Sequence, residues 1–134
     1  MLVRISSGPA CSSLYSALYS KGPFIFTENT ENFRLNPHNW NKEANVLFIE
    51  APGGVGFAKG GSENMSDTKF TLENWKALFA FYEKFPELKN QDMYLTGEQY
   101  AGITIPKLAE AIIEWNSRPD TPTWEKINLK GFLL

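Results

Sequence analysis

Short apolar runs alternate with stretches of helical period along this chain, and no other feature restricts its fold as much. Residues 2–5 read as a short strand, followed by a turn-rich stretch over residues 6–10. Ser12 and Ser13 are placed to cap a short helix running to about Ser20, with Gly22 and Pro23 stopping it. Residues 24–27 are a strand candidate, and Phe33, Arg34 and Leu35 a weaker one. The strongest strand signal lies at residues 44–50, where Val46, Leu47, Phe48 and Ile49 make an apolar run suited to burial on both faces. It breaks into the loop Pro52, Gly53, Gly54, Val55, Gly56. From Ser66 to about Phe85 the period changes. Trp75, Leu78, Phe79, Tyr82 and Phe85 recur at helical spacing, and Pro86 ends that helix. Residues 93–96 form a further strand that runs directly into Gly97. A second amphipathic helix follows, with Ile105, Leu108, Ala109 and Ile112 on one face and Pro106 near its first turns. A polar loop over residues 116–123 leads to a last strand at residues 127–134. Strands alternating with helices build βαβ units, so the expected class is α/β, a mainly parallel sheet flanked by helices.

The totals narrow the function. The 134 residues are 43% hydrophobic and 14% aromatic, the makings of one domain with a real core. Thirteen basic residues against fifteen acidic ones argue against a nucleic-acid partner. No run of roughly eighteen apolar residues exists, so no membrane span is expected. The first ten residues hold one Arg and no apolar stretch of secretory-signal length. The chain therefore reads as a mature cytosol-type protein or as an internal piece of something longer. Cys11 and His38 are the only residues of their kinds. No internal disulfide can form, a four-ligand His/Cys zinc site cannot be assembled within the chain, and no metal or cofactor is expected. Cys11 reads as a small buried hydrophobe, ahead of a reactive thiol or an intermolecular bridge.

Chemistry concentrates where the strand at residues 93–96 meets the following helix, through Gly97, Glu98, Gln99, Tyr100 and Ala101. A serine at position 99 would complete a nucleophile elbow, G-x-S-x-G with Ala101 in place of the last glycine. Such a turn strains its central residue, needs small neighbours such as Gly97 and Ala101, and sits beside helix amides able to stabilise an oxyanion. Alone, that string is weak evidence.

Its surroundings make it strong. Residues 97–102, then Ile105-Pro106 and Leu108-Ala109-Glu110-Ala111-Ile112, resemble the serine carboxypeptidase family, whose corresponding run is Gly-Glu-Ser-Tyr-Ala-Gly, followed by Tyr-Ile-Pro and an apolar helix. Residues 7–14, from Ser7-Gly8-Pro9 to Leu14, are similar to the family's Asn-Gly-Gly-Pro-Gly-Cys-Ser-Ser segment, and Gly22-Pro23-Phe24 follows at the family's spacing. Asn36-Pro37, residues 40–47, residues 54–57, Phe85-Pro86-Glu87, Lys89-Asn90 and residues 128–133 fit as well. The resemblance covers almost the whole chain, with its motifs in order.

That resemblance implies an α/β-hydrolase fold and a Ser-Asp-His triad that removes C-terminal residues from peptides. It also implies that the nucleophile position is Gln99. A carboxamide is a negligible nucleophile, so no acyl-enzyme is expected. The family's Asp and His fall beyond residue 134, and His38 lies in an unrelated loop. The amides of Gly8 and Tyr100 correspond to the oxyanion hole, both positions remaining as vestiges. Recognition of a substrate's terminal carboxylate would fall to Ser6, Ser7 and Glu98, with Ser20 at a further position that is acidic in the family. The family is typically vacuolar, lysosomal or secreted. Loss of nucleophile, recognition groups and the disulfide partner of Cys11 together points to drift after the function was relaxed.

Plainer readings stand beside these. Glu98 is expected to be solvated or locally hydrogen-bonded, and Trp40 to be a packing residue. The Gly53–Gly56 loop lacks the Lys-Ser/Thr of a P-loop and reads as a close backbone packing site. The sequon at Asn64 is expected to be unused. Trp75, Phe79 and Tyr82 are expected to be core. Taken together, residues 1–134 are expected to be the N-terminal half of a serine carboxypeptidase-like α/β-hydrolase domain, catalytically inactive. The expected role is a structural or accessory subunit whose cut sheet is covered by a protein partner chain. The alternative is a fragment of an active enzyme whose Asp and His lie on a missing or partner chain. A module that binds peptide C-termini without cutting is weighed down by Ser6, Ser7 and Ser20.

Overall fold

A computed structural model describes residues 1–5, 8, 11–27, 32–61 and 64–134. Strand β1 (Leu2–Arg4) lies inside a four-stranded sheet of order β4-β1-β5-β6, with β4 (Val46–Phe48), β5 (Met93–Thr96) and β6 (Leu129–Leu133). Every ladder in it is parallel: Val3 stands opposite Leu47 on one side and Leu95 on the other, and Leu95 opposite Phe132. The α/β expectation therefore holds. Strands β2 (Phe24–Phe26) and β3 (Phe33–Leu35) stand apart from it as an antiparallel ribbon.

Helix α2 (Asp67–Lys84) starts where its residues dictate. The Ser66 hydroxyl accepts from the Lys69 amide at 3.3 Å, while Asp67 in the first turn and Lys84 in the last complement the helix dipole. Its buried seam is Phe70, Asn74, Leu78 and Tyr82, a strict four-residue row. The expected aromatic stripe is only partly core. Tyr82 is buried, but Trp75 and Phe79 are half-buried and close a cluster with Trp115 of α3 (Ala101–Ser117), with ring centroids 5.8 and 5.5 Å from it. Phe85, last in the periodic series, is exposed because it caps the helix rather than continuing it. Helix α3 buries Ile105, Leu108, Ala109 and Ile112, the face its period predicts. Pro106 lies inside that helix, in its second turn. Helix α1 (Ser13–Tyr19) is capped by Ser12, whose Oγ accepts from the Leu14 amide.

Two burial expectations are corrected. β4 is half-buried along its whole length, because it is an edge strand of the described sheet; the central place goes to β1 and β5, whose Val3, Met93 and Leu95 are wholly buried. Cys11 is exposed rather than buried, since it precedes α1 on the open end of the sheet. The glycine loop behaves as a packing site. A Cβ on Gly53 would stand 2.7 Å from the Gly61 nitrogen, and Gly56, at φ +56°, leaves room for the Glu50 carboxylate. No helix among the described residues is long and apolar enough to cross a membrane.

Candidate functional site

The strand order places the site. β1 leads by way of α1 and the ribbon to β4 on one side of it, whereas β5 leads by way of α3 to β6 on the other. Two neighbouring parallel strands whose connections depart in opposite directions leave a crevice at their carboxyl ends, where open α/β sheets bind ligands. The Ile5 amide donates to the Thr96 carbonyl at 3.0 Å and holds those two ends level. Gly8, after β1, and residues 98–100, after β5, thus share one end of the sheet. His38 belongs to the other end: it lines a hollow with Leu2 and Trp40, at the start of β1.

At the turn after β5, Gln99 has φ +54°, alone among the described non-glycine residues in the left-handed region. That conformation costs an L-residue about 1–2 kcal/mol. The chain enters helix α3 at once, with the Ala101 amide on the Glu98 carbonyl at 3.1 Å and the Gly102 amide on the Gln99 carbonyl at 2.9 Å. The close quarters explain Gly97. A Cβ there would meet the Ala101 Cβ at 2.3 Å and the Ile105 Cδ1 at 2.8 Å. Gln99 and Glu98 are exposed at the tip, while Gly97 and Ala101 are buried beneath it.

Glu98 is bound locally, as its plainer reading expects. Its Oε1 accepts from the Arg4 guanidinium at 2.7 Å; Arg4 is 4% exposed and the Glu98 side chain 59%. Arg4 escapes sequence reasoning because it sits between Val3 and Ile5 in an apolar run, and its partner lies 94 residues away. A cavity of about 520 Å³ beside this pair is lined by Cys11, Ser12, Ser13, Ser16 and Ser20, so the fold brings Ser20 and Glu98 together. Ser6 and Ser7 lie outside the described residues. Gly8 is buried in a bend, where a Cβ would come within 2.8 Å of the Cys11 sulfur. On the far side of the turn, the Tyr100 hydroxyl donates to Asp67 Oδ1 at 2.5 Å and Lys107 pairs with Oδ2 at 3.3 Å. The Tyr100 hydrogen bond, then Lys107, holds the Asp67 carboxyl below its usual range, and the same bond raises the Tyr100 phenol. This tether from the start of α2 to the turn has no local sequence signal.

A mainly parallel sheet flanked by helices, with a sharp strand–turn–helix junction at its carboxyl edge, defines an α/β-hydrolase architecture. The chain belongs to the serine carboxypeptidase family, whose description residues 3–134 match. It is similar to serine carboxypeptidase-like 22 of Arabidopsis thaliana, 39% identical over all of this chain and 29% of the relative. Serine carboxypeptidase ctsa-4.1 of Caenorhabditis elegans is 39% identical over 95% of this chain and 27% of its own length. Among solved structures it resembles Kex1(delta)p, a prohormone-processing carboxypeptidase from Saccharomyces cerevisiae. That match has a TM-score of 0.88 and 28% identity, over 98% of this chain and 29% of the other. The chain thus spans under a third of the length of these relatives.

Proposed function

We propose that this chain is a catalytically silent part of a serine carboxypeptidase-like α/β-hydrolase domain, acting as a structural or accessory subunit. The observation that carries the reading is Gln99 at φ +54° on the exposed tip between β5 and α3. That is the conformation and place in which the family presents its nucleophile, and a carboxamide there cannot attack a carbonyl. The amides of Gly8 and Tyr100 are a vestigial oxyanion hole. Ser6, Ser7 and Glu98 are what remains of carboxylate recognition, and Glu98 is engaged by Arg4. Protein partner chains, or further parts of the same domain, cover the sheet edges.

The retained turn also favours a second reading. Its small neighbours and its strain persist around Gln99, as they would in a fragment of an active enzyme whose Asp and His lie elsewhere. Hydrolysis of a blocked dipeptide by the natural polypeptide, native and Gln99→Ser, separates the two. Silence from both supports the accessory role, and robust turnover by the serine variant places the remaining triad in the same assembly.

A further inference from the structure

On the side of α2 and α3 away from Gln99, four rings line a cavity of about 580 Å³: Phe79 and Tyr82 from α2, Trp115 from α3, and Trp124. Phe79 and Trp115 stand almost at right angles, at 83°. The Lys89 ammonium occupies the cavity, 5.9 Å from the Phe79 centroid, 6.0 Å from Tyr82 and 5.7 Å from Trp124. Glu83 and Glu125 complete the lining, and neither they nor Lys89 take part in an ion pair among the described residues.

We propose that this cavity is an aromatic cage for a quaternary ammonium ligand, with Lys89 its intramolecular stand-in. Rings attract a cation through their quadrupoles. The Lys89 nitrogen lies near the outer limit of that range, about 6 Å. An N-methyl group reaches roughly 1.5 Å beyond its nitrogen, so a trimethylammonium centred there would close the gap to the rings that a bare ammonium leaves. The two carboxylates supply the sign: with Lys89 swung out to solvent on its flexible stem, the cavity lining holds two negative charges and no positive one. Tyr82 turns its hydroxyl inward to Met93 Sδ at 3.3 Å, which leaves its ring to the wall.

Titration of the natural polypeptide with choline, followed by tryptophan fluorescence and calorimetry, tests the cage, with the neutral isostere 3,3-dimethylbutan-1-ol as control. Saturable choline binding is expected, with the alcohol binding about tenfold more weakly. Lys89→Ala should tighten choline severalfold by removing the resident cation. Trp124→Ala should weaken it about tenfold without unfolding, because that ring is 72% exposed. Equal binding of choline and the alcohol would reduce the cavity to an apolar hollow. Absence of saturable binding in both the native chain and Lys89→Ala would make Lys89 a permanent structural plug and overturn the proposal.

Discussion

Gln99 holds a left-handed backbone that its own side chain does nothing to favour. Relief of that strain offsets the extra chain entropy of glycine, about 0.5–1 kcal/mol, so Gln99→Gly should be neutral or stabilising by up to about 1 kcal/mol. Gln99→Val, β-branched at positive φ, should destabilise by more than about 1 kcal/mol. Urea denaturation of both variants checks the pair, and the reverse order would mean that the turn is not strained. Tyr82 gives a pH signature. Burial pushes its phenol from 10.0 up to about 12, so its contribution is fully present below pH 10 and is lost as pH rises through 12. The native chain should therefore lose stability relative to Tyr82→Phe across that window, as read by melts at stepped pH; parallel curves would contradict a buried neutral phenol. At this scale the sequence was legible where spacing is local. Gly97, Gln99 and Ala101 betray their turn because steric need acts between neighbours along the chain. Arg4, Asp67 and Cys11 did not, because the first two are defined by partners distant in sequence and the third by where the sheet ends.

Between elements, the tightest demand lies where β5 turns into α3. Gly97→Ala must push its new methyl against Ala101 and Ile105, and overpacking of this kind typically costs about 1–3 kcal/mol. A loss in that range on chemical denaturation is expected, and a variant as stable as the native chain would show that the junction is looser than described. Most elements could be read from periodicity, since a helix such as α3 carries its buried face in every turn. Periodicity does not report position within a sheet. The run at Val46 reads as doubly buried because it is uniformly apolar, yet β4 is an edge strand in the described sheet and its burial is partial. The ribbon of β2 and β3 likewise reads as two strands without saying that they pair only with each other.

At the scale of the molecule, the sheet formed by the described residues has two edge strands. β4 lies at one edge and β6 at the other, where Phe132, Leu133 and Leu134 are each about half exposed or more. Unpaired edges with apolar side chains invite pairing or aggregation. Net stability of a domain is only about 5–15 kcal/mol, and at roughly 25 cal/mol per Å² a few hundred Å² of uncovered apolar surface consumes much of it. Residues 1–134 expressed alone are therefore expected to sediment as oligomers or to melt without cooperativity. A monodisperse monomer with a sharp transition would show that the segment closes its own core.

The proposed catalytic silence of Gln99 is tested most directly by exposing the natural polypeptide to a fluorescent organophosphonate alongside a blocked dipeptide substrate. The native chain should take up no label in the peptide containing Gln99 and should release product no faster than buffer. Within residues 1–134, Gln99→Ser should also remain inactive, since the proposed oxyanion amides would accomplish little without a base. Saturable, inhibitor-sensitive hydrolysis by the native polypeptide would contradict the central claim, because it would require a nucleophile that Gln99 cannot be.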